Sequence, residues 1–367
     1  MAIDKVTSAA LETSTNQPNF RNIIINGDMS QAQRGTSVSS LTGTDATCDR
    51  WRFAATSAGT WTISQSTTVP TGQGFSTSLK MDCTTADASP AADDALFIKH
   101  KIEGQNLQYL KKGTSSAESL TLSFWVRSNK TGTYITRLQD ADNSRNISQS
   151  YTISSADTWE KKTLTFAGDT SGSLTLDNSV AIDLDFYLSA GSNYTSGTLN
   201  TSWNSATTAN RAVGQVNLGD STSNDWYVTG VQLEAGTTAS DFEFLPVDVN
   251  LARCQRYYQI IADRTSTGTR MAITCAAAVD TTSVYGAIQF PTPMRASATM
   301  LSTTVTNGYR LLGSPEPTFN VMSASPITNR GARISNGSSL STSITTGRAY
   351  VLECELNGSD LRFEAEL

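Results

Sequence analysis

The sequence predicts an all-β chain built as two β domains joined by a short helix. Three observations support this: a hydroxyl-rich, weakly charged composition, repeated two-residue alternation of apolar side chains, and regularly spaced turn residues. Apolar residues make up 38% of the 367 residues and charged residues only 16%. Ser, Thr, Asn and Gly fill stretches such as 'RISNGSSLSTSITTG' (333–347). A disordered chain usually pairs low hydrophobicity with high net charge. Hydroxyls in place of Lys and Glu suit instead the solvent faces of strands.

Residues 1–19 lack periodic hydrophobicity and are expected to form an arm that orders only against a partner. From residue 20 to 246 short strands alternate with turns. In 'SLTLSFWVRSN', Leu120, Leu122, Phe124 and Val126 share one face, and Thr121, Ser123, Trp125 and Arg127 share the other. In 'VAIDLDFYLSAG', Ile182, Leu184, Phe186 and Leu188 oppose Asp183, Asp185 and Tyr187. Breakers separate such runs at 71–74, 129–132, 168–172 and 189–193. Many short strands at this spacing point to a β-sandwich or jelly roll over 20–246.

Near Asp248 the period changes. Leu251, Cys254, Tyr258 and Ile261 fall on one helical stripe, with Asp248 placed as its N-cap, which predicts a connecting helix over 247–261. So short a helix must dock on something, and this stripe is the expected oligomer interface, with three copies meeting on an axis. Strands return over 262–367. Met271, Ile273, Cys275, Ala277 and Val279 alternate with four smaller residues, and the ending 'YVLECELNGSDLRFEAEL' reads as a hairpin turning at Asn357–Asp360 with a packed last strand.

The chemistry available is narrow. A net charge of −6, with 27 scattered Lys and Arg, does not make the basic face that nucleic acid requires. The N-terminus has neither the basic nor the apolar part of a signal peptide, and no apolar run is long enough to span a bilayer, so synthesis in the cytoplasm without membrane insertion is expected. Cys48, Cys83, Cys254, Cys275 and Cys354 are odd in number and dispersed, which suits neither a disulfide framework nor a zinc site. Any nucleophile–His catalysis would have to use His100, the sole histidine, which shares the apolar parity of Ile98 and Ile102. Asp183 and Asp185 share a strand face, about 6–7 Å apart, and are the one carboxylate pair that a hydrolase or a cation could use. No phosphate loop, HExxH or GxSxG motif stands in a suitable context. The expectation is a protein that is not an enzyme, with no metal and no cofactor. For binding, Trp125, Tyr187 and Trp203 are candidate stacking platforms for a sugar ring, the alternative for Trp125 and Tyr187 being cover for the edge of the core.

'NIIINGDMSQAQRGTS' (22–37) followed by 'CDRWRF' (48–53) resembles a segment of bacteriophage tail-fibre and minor virion proteins, which carry an NLLINGD…QRG…DRW pattern. 'LSFWVRSNKTGTY' (122–134), 'GDTSG' (168–172), 'LSAGSNYTSGTLNTSW' (188–203), 'DWYVTGVQLEAGTTASDFEFLPVDVNLARCQRYYQ' (225–259) and 'AIQFPTPMRASATM' (287–300) follow in the same order. Here alanine stands where an aromatic commonly precedes Gln-Arg-Gly. The resemblance implies a jelly-roll domain like those of carbohydrate-binding modules, a Cys-Gln-Arg-Tyr-Tyr helix and a small β domain, usually trimeric on the virion, and it carries no catalytic residues. The expected function is a homotrimeric tail fibre or similar appendage. Residues 1–19 would dock to other virion proteins, and the body would contact a host surface glycan. A capsid decoration or head-fibre protein is the alternative, and a polysaccharide-degrading enzyme resting on Asp183 and Asp185 a third.

Overall fold

The computed structural model describes residues 20–41, 44–45, 47–264 and 270–367. The expected arm at 1–19 lies outside the described residues. The chain divides into two compact units, one ending at Asn250 and the other running from Leu251 to Glu366.

In the first unit the strands are β1 (Ser37–Leu41), β2 (Thr44–Asp45), β3 (Trp51–Thr56), β4 (Thr60–Ser66), β5 (Ser78–Thr85), β6 (Ala95–Glu103) and β7 (Leu120–Ser128). They continue with β8 (Gly132–Asp140), β9 (Arg145–Ile153), β10 (Glu160–Phe166), β11 (Val180–Ala190), β12 (Asn204–Ser205) and β13 (Asp225–Ala235). Sheet 1 runs β1-β4-β5-β13-β7-β10 and sheet 2 runs β12-β9-β8-β11-β6-β3-β2. From β5 onward the chain repeatedly crosses between the sheets, which makes this an antiparallel jelly-roll sandwich.

The inward parity is the expected one. Leu122, Phe124 and Val126 of β7 and Ile182, Leu184, Phe186 and Leu188 of β11 are buried in one core with Trp51, Trp61 and Trp226. Phe186 of sheet 2 meets Phe124 and Trp226 of sheet 1 at 5.1 Å and 5.9 Å between centroids, so aromatic edges bridge the layers.

The 22–37 and 48–53 motifs are two halves of one lock. The Asn26 side chain donates to the Asp49 carbonyl, and the Trp51 indole donates to the Asn26 carbonyl, both at 2.9 Å. Asn22 accepts from the amides of Ile24 and Leu233 and donates to the Val231 carbonyl. Gly27 is required by this closeness, because a Cβ there would stand 2.1 Å from the Val231 oxygen. The motif is therefore a device for tying the start of the sandwich to β13.

Helix α1 (Ser192–Thr195) lies in the first unit, and helix α2 covers Val247–Gln255. Helix α2 is shorter than the expected 247–261 span, and Asp248 lies in its first turn instead of capping it. Tyr258 and Ile261 are on strand β14 (Tyr258–Asp263), so the stripe of Leu251, Cys254, Tyr258 and Ile261 does not form on one helix. The run Tyr257–Ile261 is aromatic and β-branched, and pairing with a neighbouring strand overrides the helical spacing.

The second unit continues with β15 (Met271–Ala278), β16 (Val284–Gln289), β17 (Thr299–Leu301), β18 (Tyr309–Leu312), β19 (Thr318–Phe319), β20 (Met322–Ile327), β21 (Gly331–Asn336), β22 (Ala349–Cys354) and β23 (Asp360–Glu364). It holds a three-stranded sheet, β14-β23-β17, and a seven-stranded one, β19-β18-β22-β15-β16-β21-β20. The expected terminal hairpin is absent: β22 pairs with β15 and β18, while β23 pairs with β14 and β17. In these two strands alternation marks the buried face but leaves the partner open. The last strand is nevertheless packed, with Leu361 and Phe363 fully buried. In β15 the expected parity is reversed: the buried side chains are Ala276 and Ala278, while Met271, Cys275 and Val279 of the apolar run are exposed.

Candidate functional site

Each sheet of the sandwich has an outer face, and the two faces are built differently. On sheet 1, β7 presents Ser123 and Trp125 outward, with Lys161 of β10 opposite Trp125 and Thr229 of β13 on its other side. Over this floor lies a pocket of about 200 Å³, walled by Phe75, Phe242 and Phe244 and rimmed by Gln73, Lys161 and Asp241. The three phenylalanines touch one another at 4.9–5.1 Å between centroids. Phe244 is half exposed, an unusual placement for a large apolar ring and one that leaves its face open to a ligand.

The pocket depends on an irregularity in β13. Thr229 pairs with Trp125 but Gln232 pairs with Ser123, so one extra residue is inserted, and Gly230 sits there with φ of +61°. This is a glycine-started β-bulge. It also lets Phe75 close in, since a Cβ on Gly230 would lie 2.5 Å from the Phe75 ring. Beyond the bulge the parity is flipped, which turns Gln232 and Glu234 outward. Glu234 accepts from the Ser240 amide and hydroxyl, and Gln232 accepts from the Glu243 amide and donates to the Asp241 carbonyl. Glu243 in turn accepts from the amides of Phe20 and Asn22. The buried Gln232 and Glu234 hold segment 240–244, and with it the phenylalanine wall, in one position.

The polar groups facing the pocket are not used in this way. Among the described residues, the Ser123 hydroxyl, the Trp125 indole N–H, the Gln73 side-chain amide, the Lys161 ammonium and the Asp241 carboxylate have no intramolecular hydrogen-bond or ion-pair partner. An aromatic floor with unengaged donors and acceptors around it can stack on the apolar face of a ring and hydrogen-bond its polar rim.

Sheet 2 shows the opposite arrangement. Tyr187 is fully buried, packed with Ile135, Ala212 and Phe97 under the segment after β11. Burial pushes its phenol up to about 12. It is not an exposed platform: strand parity placed it correctly on the outer face, but that face is covered by the chain itself. Asp185 accepts two hydrogen bonds from Arg137, at 2.9 and 2.5 Å, and both side chains are essentially inaccessible. Asp183 is bonded by Lys99 at 3.0 Å. Burial, together with the charge of Asp185, raises the Asp183 carboxyl above its ordinary value against the pull of Lys99. Both carboxylates are thus engaged in ion pairs. Among the described residues no group of three or more His, Cys, Asp or Glu is placed to hold a metal ion.

Trp203 is half-buried, donates its indole N–H to the Ala167 carbonyl at 2.7 Å, and has the Lys112 ammonium 5.0 Å from its ring. Lys112 itself bonds Asp140, Asp169 at 3.0 Å and the Gly172 carbonyl at 2.8 Å. The Trp203 ring closes this cluster, with one face already occupied. His100 is buried against Trp51 and interacts with the Ile25 backbone at 3.2 Å, a structural position. Cys254 and Tyr258 are buried, while Leu251 and Ile261 are half-buried.

Of the three proposed platforms the structure therefore brings only Trp125 into an open site. Phe75, Phe242 and Phe244 were not anticipated. The available signal was 'DFEF' (241–244), an aromatic alternation just after the turn residues of 'EAGTTAS'.

No protein-family model and no curated protein matches the chain. Similar solved structures include the enzymatically active domain of bacteriophage CBA120 tailspike protein 4, at 15% identity and a TM-score of 0.31, covering 59% of this chain and 21% of that one. They also include the family 11 carbohydrate-binding module of Clostridium thermocellum in complex with a mixed-linked tetrasaccharide, at 12% identity and a TM-score of 0.27, covering 56% of this chain and 99% of that one. A third is the CBM22-1 xylan-binding domain of Paenibacillus barcinonensis Xyn10C, at 11% identity and a TM-score of 0.22, covering 55% and 94%. Likenesses this distant add nothing to the site described above.

Proposed function

We propose that the protein is a non-enzymatic bacteriophage virion component, a homotrimeric tail fibre or similar appendage, that contacts carbohydrate on the host surface through the Trp125 pocket. The observation that carries the carbohydrate reading is the set of five polar groups around an aromatic floor with no partners inside the chain. These groups face the pocket and are free to exchange water for the hydroxyls of a bound sugar. The virion reading rests on the ordered motifs between residues 22 and 300. The non-enzymatic part rests on the engagement of Asp183 and Asp185 by Lys99 and Arg137 and on the buried, structural setting of His100.

One experiment tests the whole. Purified protein is expected to block adsorption of the phage to its host and to bind host surface polysaccharide without shortening it. Trp125→Ala is expected to weaken that binding by about tenfold or more, because a stacked aromatic anchor dominates such a site, with the melting temperature nearly unchanged. Binding to mature capsids but not to cells would replace this reading with capsid decoration. Release of sugar, abolished by Asp183→Asn, would replace it with an enzyme.

A further inference from the structure

We infer that the Trp125 pocket takes a single uncharged sugar unit at the end of a glycan, not a run of polysaccharide chain. This rests on the carbohydrate reading above and adds a ligand class to it. The first argument is size. Across the strands the floor extends from Gly230 in the β13 bulge through Trp125 to Lys161, two inter-strand steps or about 10 Å; along β7 it extends from Ser123 to Trp125, about 7 Å. That footprint suits one six-membered ring with its substituents. The volume of about 200 Å³ also falls below the roughly 300–1,000 Å³ typical of pockets for larger ligands.

The second argument is the pairing of charges at the rim. Lys161 can only donate hydrogen bonds and Asp241 can only accept them, while a sugar hydroxyl does both. Neighbouring hydroxyls on one neutral ring can satisfy both residues. A sugar carboxylate would gain from Lys161 and be opposed by Asp241. The third argument is rigidity. Glu234, Gln232 and Glu243 fix the wall from beneath, so the pocket is set before the ligand arrives and does not need a long chain to order it.

The test uses the full chain and immobilised glycans in matched pairs, one member ending in a neutral hexose or N-acetylhexosamine and the other trimmed of that residue by an exoglycosidase. Trimming is expected to lower binding about tenfold or more, the expected weight of a stacked ring with its hydrogen bonds. The methyl glycoside of the removed residue should compete. Raising NaCl from about 50 to about 500 mM should change binding less than about twofold, since no net charge is recognised. Asp241→Ala, at an exposed position that leaves the fold alone, should lower binding to the untrimmed member only. Equal binding of trimmed and untrimmed partners, or a preference for acidic ends that salt abolishes, would overturn the inference and leave the carbohydrate reading standing. Binding to no glycan of either kind would overturn the carbohydrate reading itself.

Discussion

The two outer faces of the sandwich carry similar residues and do opposite things. Each has aromatic side chains set among Lys, Asp and amide or hydroxyl groups. On sheet 1 the groups around Trp125 are open and unengaged. On sheet 2 the corresponding Tyr187 is closed over by the chain between Ala190 and Ala212, while Asp185 is paired with Arg137 and Asp183 with Lys99. The contrast teaches that an aromatic-plus-carboxylate strand face has no fixed role. Whether it binds a ligand or stiffens the fold depends on what the loops do with it.

The comparison breaks most visibly at Arg137. Arg137→Met removes both hydrogen bonds to the buried Asp185 carboxylate and leaves it only Lys99 at 3.7 Å, and removing one member of a buried pair costs up to about 3–5 kcal/mol. Denaturant unfolding should show that loss, while glycan binding by the folded protein is unchanged. Pairing it with Asp185→Leu should restore most of the stability. If instead Arg137→Met weakens glycan binding at full stability, sheet 2 contributes to the site and the contrast fails.

A smaller effect on stability, but a sharper one on the site, is expected at Gly230. Gly230→Ala forces a side chain into a left-handed backbone position and to within 2.5 Å of the Phe75 ring. The strain of about 1–3 kcal/mol should appear as a lowered melting temperature. Movement of Phe75 and its neighbours should weaken glycan binding in the same variant. Normal binding would mean that the wall does not depend on the bulge.

These two positions also mark how far the sequence could be read. Strict alternation in β7 and β11 exposed both inward faces, and the jelly-roll sandwich followed from them. The outward residues were equally legible as a set, including Trp125 and Tyr187. Their fates were not, because covering Tyr187 takes a loop whose path no local period encodes. The pocket wall was hidden for a related reason: the single inserted residue at Gly230 flips the parity of Gln232 and Glu234, and those two residues place Phe242 and Phe244. In the second unit the same limit appears in β22 and β23, correctly amphipathic yet paired to different sheets. Helical spacing misled at Tyr258 and Ile261 because sheet partners distant in sequence outweigh a stripe of four residues.

The mildest effect expected on the closed side of the molecule is a pH dependence at Asp169, which receives two hydrogen bonds from Arg145, at 2.8 and 2.9 Å, besides its contact with Lys112. Burial by itself would raise this carboxyl, but the bonds from Arg145 and Lys112 outweigh it and hold the group below its ordinary value. A carboxylate whose folded value is depressed contributes stability that is complete above the unfolded value, near pH 4, and is lost as pH falls through the folded one. Stability measured by denaturant titration should therefore decline on acidification below about pH 4. Asp169→Asn should start lower at neutral pH and decline less steeply, so that the two curves converge in acid. Asp241→Asn, on the open face, should change glycan binding instead. Parallel acid limbs for wild type and Asp169→Asn would mean that the bonds from Arg145 and Lys112 do not favour the charged form of Asp169 in the folded protein.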